Sequence, residues 1–174
     1  MKKKCILIAL LLISFIMMSN STSFAHQYEL LVPPMLQNIK GKDELVGYLD
    51  KIGSVRSNIS TINISPTTAK ENPDEIKKQI NFYLTEISSL ENSISNFEKK
   101  YSDSQPDLLF AEQISIILNV YQMSLNQQLS LLNALINNEF EASKLFNSEY
   151  LTYIYYYLNL GDQMISYINT FYNL

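Results

Sequence analysis

The chain is poor in the residues that most catalytic chemistry requires. Its 174 residues include one histidine, one cysteine and no tryptophan. Histidine is the usual general base near neutral pH, so a lone His26 leaves no imidazole for a Ser-His-Asp arrangement or for Glu-x-x-His metal ligation. As a new N-terminal residue His26 could offer an amine and an imidazole to copper, but no second imidazole exists to complete such a site. The one cysteine, Cys5, lies near the start of the chain. No disulfide and no thiolate zinc site can be built within one copy. Phosphate-cradling glycine loops and nucleophile elbows are missing too. The sequence therefore predicts no catalytic residues, no metal and no cofactor. An enzyme working through carboxylates alone is the weakest of the functional readings.

Basic residues are scarce as well. The chain carries 13 Lys and Arg against 17 Asp and Glu, and beyond Tyr101 the single basic residue is Lys144. Without a basic stripe to neutralise phosphates, nucleic acid is not expected as a partner. Attraction to anionic lipid is weakened for the same reason.

What basic charge there is begins the chain. Lys2, Lys3 and Lys4 precede an apolar run, Cys5 to Met18, and a polar stretch ending Ser23-Phe24-Ala25. A charged start, a short apolar run and a small-x-small triplet make a secretory signal peptide. The run is shorter than the roughly 20 residues of a membrane-spanning helix. The expected organisation is a cleaved leader over 1–25, an N-terminal arm over 26–42 and a helical domain over 43–174. The location is then periplasmic, cell-surface or extracellular. Removal of the three lysines lowers the formal charge from −4 to −7.

With 4 glycines and 5 prolines, the chain also lacks the turn formers that many short strands need. Apolar residues recur instead at spacings of three and four, the helical period. The pattern predicts an all-α, up-and-down antiparallel bundle of about four helices, at about 43–62, 73–101, 106–136 and 139–173. In the second, Ile76, Ile80, Tyr83, Ile87, Leu90, Ile94, Phe97 and Tyr101 form an unbroken heptad seam, opened by Asn72-Pro73 with Glu75 in a capping-box position. In the third, Ile114, Leu118, Tyr121, Leu125, Leu132 and Leu135 form a stripe interrupted by Gln128. The stretch from Gln113 to Asn138 has no charge, but Ser115, Asn119, Asn126, Ser130 and Asn133 share its far side, which argues for a soluble helix over a membrane span. A break near Asn137 is favoured over continuation to Phe146.

The fourth helix is the most aromatic. Phe146, Tyr150, Tyr153, Tyr157, Leu160, Met164, Tyr167 and Phe171 step by four and three through Gly161-Asp162, and this seam is expected to face the core. An aspartate at Tyr153 should then unfold the bundle, and one at Ser130 should be nearly silent. Leu151, Tyr155 and Leu158 lie on the opposite side, spaced i, i+4, i+7, and are the candidate partner-binding residues unless the arm, with Leu30, Leu31 and Val32, lies across them. Tyrosine suits protein contacts because it adds area at small entropic cost. The function expected is protein–protein interaction by an exported, non-enzymatic bundle, with a protein partner or self-association. A membrane-active helical protein is the alternative. No small-molecule ligand is indicated.

Overall fold

The structure, a computed structural model, describes residues 38–137, 144 and 146–172. All belong to one compact unit, Met35–Leu174. The leader, most of the arm and the Glu139 region lie outside the described residues. Within them the fold is all-α, with no strand. Five α-helices are present: α1 (Lys42–Ile59), α2 (Thr68–Glu71), α3 (Pro73–Lys100), α4 (Gln105–Ile136) and α5 (Leu151–Tyr172), the last preceded by a π-helical turn at Phe146–Tyr150.

Local sequence explains most of these limits. Pro73 opens α3 at a position where its missing N–H costs nothing. Asn72 caps by position only, since its side chain makes no cap bond, so the capping box read from Asn72 and Glu75 does not form. α1 ends at Ile59, before the β-branched "STINIS" stretch, with the Thr61 hydroxyl bonded to the Asn58 carbonyl. Ser65 and Thr68 then bond each other's backbone N–H reciprocally, which starts the short α2. α4 ends at Ile136, with the Asn137 N–H on the Asn133 carbonyl.

Contacts between the helices give their directions. Glu44 near the start of α1 meets Lys100 at the end of α3, and Tyr48, one turn on, meets Phe97, so these two helices are antiparallel. A three-residue turn, Tyr101–Asp103, reverses the chain into α4. The start of α4 returns to the start of α1, where Asp107 accepts from the Lys40 and Gly41 N–H groups at 3.0 and 2.7 Å. α5 runs back along α4, with Ile154 opposite Ser124 and Asp162 opposite Tyr121. The result is up, down, up, down.

α4 is the central helix and packs against α1, α3 and α5. It is buried on most of its circumference, from Phe110 and Ala111 through Ile114, Leu118, Tyr121 and Leu125 to Leu135. Its open edge steps 4, 3, 4, 3, 4, 3 through Glu112, Ile116, Asn119, Met123, Asn126, Ser130 and Asn133. α3 buries Ile76, Ile80, Ile87, Leu90, Ile94 and Phe97, leaving Tyr83 and Tyr101 half-buried at the margin.

Candidate functional site

α5 departs from the sequence expectation. Its buried residues are Ile154, Leu158, Gly161 and Ile168, with Ile165 packed beside them. These also step 4, 3, 4, 3. The helix therefore carries two heptad seams about a quarter turn apart, and the aliphatic one faces α4. Tyr153 is 54% exposed, Tyr155 56%, Tyr156 58% and Tyr167 53%. Phe146, Tyr150, Tyr157, Leu160, Met164 and Phe171 are half-buried. The aromatic seam is not the core, and Tyr153→Asp is not a core substitution.

Two physical reasons decide between the seams. The first is distance. Gly161 sits directly against the Tyr121 ring, and a Cβ there would overlap it. The glycine lets α5 approach α4 closely, which a seam of rings could not do. The second is the phenol. A buried tyrosine must hydrogen-bond its O–H or lose the hydration of that group. Along the outer edge of α5 the hydroxyls remain in water.

The same phase moves the candidate partner-binding residues. Leu158 is 3% exposed and belongs to the core. Leu151 is half-buried against the core. Tyr155 alone of the three is exposed, so Leu151, Tyr155 and Leu158 form no outward stripe. The residues of the arm that were to cover them, Leu30 to Val32, lie outside the described residues.

Beside Gly161, Asp162 ties three helices together. Its Oδ1 accepts the Tyr121 O–H at 2.7 Å and Arg56 Nε at 2.8 Å, and its Oδ2 accepts Arg56 Nη2 at 2.7 Å. The fork-to-carboxylate geometry is bidentate. Burial, and after it the Asp162 carboxylate, push the Tyr121 phenol well above its ordinary value of 10.0. A raised pKa means that the folded state holds the proton more tightly. Its stabilising contribution is full below pH 10 and falls as pH rises beyond that. The unfolding free energy of the wild-type protein from urea titration should drop above pH 10, by at most about 1.4 kcal/mol per pH unit from this group. In Tyr121→Phe that part of the alkaline loss should disappear.

Arg56 and Asp162 also border an open groove between α1 and α5, with Gly53, Ile165, Ser166 and Asn169. Their charges are spent on each other. Among the described residues no group of three His, Cys, Asp or Glu side chains could hold a metal. Gln128, buried on α4, leaves its Oε1 without a hydrogen-bond partner.

The opposite flank of α5 is different. From Leu151 to Tyr172 its one charge is Asp162, which points to α1. The aromatic edge, Tyr153, Tyr156, Tyr157, Leu160, Met164, Tyr167 and Phe171, contains none. On the open edge of α4, Ile116 and Met123 are exposed at 44% and 50%. Rings on the edge already associate: Tyr167 and Phe171 lie 4.1 Å apart, and Tyr156 meets Tyr157 edge-on at 5.4 Å.

No family model, curated protein or solved structure matches the chain.

α4 is long and apolar enough to cross a membrane by length and composition. Half of its most apolar window is buried inside the bundle.

Proposed function

We propose that this is an exported, non-enzymatic helical-bundle protein that works by binding protein through the α4–α5 face. The observation that carries the reading is the aromatic edge of α5. Tyr153, Tyr156 and Tyr167 stand more than half exposed there, beside half-buried Tyr157, Leu160, Met164 and Phe171, on a helix with no charge on that side. Exposed contiguous apolar surface of this kind marks a contact site, and tyrosine and methionine are enriched in such contacts while charge is depleted. Export is supported by Lys2 to Lys4, the apolar run after them and Ser23-Phe24-Ala25. The scarcity of histidine and the mutual neutralisation of Arg56 and Asp162 support a role without catalysis.

The apolar length of α4 and the exposed tyrosines favour a second reading, insertion into lipid. That reading lacks the lysine or arginine flank of interfacial helices. Replacing Tyr156 with a photo-crosslinking residue in the producing cells separates the two. The expected result is a discrete protein adduct after irradiation, with none from the same probe at Lys78 on α3. No protein adduct from position 156, or adducts with lipid only, would overturn the proposal.

A further inference from the structure

From the pattern of the α5 edge we infer that the partner is a second copy of this chain, with the two α5 helices packed antiparallel across a two-fold axis. The inference rests on the binding role proposed for this face and adds the identity of the occupant. Within the regular helix the edge reads Tyr153, Tyr157, Leu160, Met164, Tyr167, Phe171. Steps of 4, 3, 4, 3, 4 are the same in both directions, so the helix can meet its own reverse. In the symmetric register centred on Asp162, Tyr153 faces Phe171, Tyr157 faces Tyr167, and Leu160 faces Met164. Every layer pairs large apolar groups, and none pairs a ring with a gap.

The flanking positions are equally compatible. Tyr156 meets Thr170, and Gln163 meets Gln163 of the second copy on the axis. No charged residue enters the contact. In a chain with formal charge −4, two copies can approach along this edge without like charges meeting. A two-fold contact is self-complementary by construction, and a heptad seam is the pattern by which helices pair side by side.

α5 has 22 residues, a length of about 33 Å at 1.5 Å per residue, so the antiparallel contact can run along the whole helix.

Sedimentation equilibrium of the purified protein tests this. The wild type should sediment at twice the chain mass. Tyr167→Lys should return it to the single-chain mass with an unchanged far-UV circular dichroism spectrum, since Tyr167 is exposed in the single chain. In a Cys5→Ser background, Gln163→Cys should form a disulfide-linked dimer under mild oxidation, and Lys78→Cys should not. A single-chain mass for the wild type overturns the inference, as does a dimer unaffected by Tyr167→Lys. A single-chain protein whose Tyr156 probe still captures a different protein also overturns it, and leaves the proposed binding role standing.

Discussion

Ile154→Asp should abolish folding, and Tyr153→Asp, one residue away, should leave the bundle folded. Ile154 is buried against α4, where the Ser124 hydroxyl already occupies its carbonyl. Among the described residues, the groups around it offer no cation to a new carboxylate. An unpaired buried charge, added to the lost apolar contact, costs roughly 4–5 kcal/mol or more. Small domains have a total stability of about 5–15 kcal/mol. Tyr153 is more than half exposed, and a carboxylate there stays hydrated. Its cost to the single chain should be below about 1 kcal/mol. Urea unfolding followed by circular dichroism gives both numbers. Equal sensitivity at the two positions would mean that the phase of α5 is not the one described.

Asp107→Ala should cost roughly 3–5 kcal/mol, the largest loss expected from removing a single hydrogen-bonding group. Asp107 is fully buried in the first turn of α4. It does not cap its own helix. Its two oxygens accept the Lys40 and Gly41 N–H groups, and Oδ2 also accepts the Ser104 hydroxyl. One carboxylate thus satisfies the two backbone N–H groups just before α1 while sitting at the favourable end of the α4 dipole. Truncation leaves a buried N–H and a buried hydroxyl without partners. The Phe97 and Tyr101 rings occupy the space where a Cβ on Gly41 would stand, so this entry to α1 is tightly packed. Asp103→Ala removes only an exposed ion pair with Lys40 and should be nearly silent. Asp107→Asn, which keeps one acceptor oxygen, should fall between the two.

The legibility of this fold in the sequence varied with chemical contrast. α3 alternates Lys and Glu with its seam, so Ile76, Ile80, Ile87, Leu90, Ile94 and Phe97 are readable as buried from spacing alone. α4 is almost uncharged, yet most of its Asn and Ser positions mark the open edge: Asn119, Asn126, Ser130 and Asn133 are exposed, while Ser115 is half-buried. α5 offers no such contrast. Both of its seams are apolar and both keep the heptad step, so periodicity cannot choose between them. Side-chain size favoured the rings, but hydroxyl hydration and the close approach at Gly161 favour the aliphatic seam. The signal was present in Gly161: a glycine that interrupts no turn, on a seam of Ile and Leu, marks the line where another helix comes near. The Asp107 clasp and the Asp162 tie were not readable, because each depends on residues more than 40 positions apart in sequence.

Tyr153 and Tyr167, on the seam expected to fill the core, are instead exposed. The stripe of Leu151, Tyr155 and Leu158 disappears into the packing, except for Tyr155.

Tyrosine nitration of the Tyr167→Lys protein, mapped by peptide mass spectrometry, addresses this arrangement most directly, because that variant exposes the α5 edge whether or not two copies pair. Tyr153, Tyr155 and Tyr156 should be modified early and Tyr121 spared until the protein unfolds. Protection of Tyr153 equal to that of Tyr121 would place the aromatic seam in the core and contradict the account.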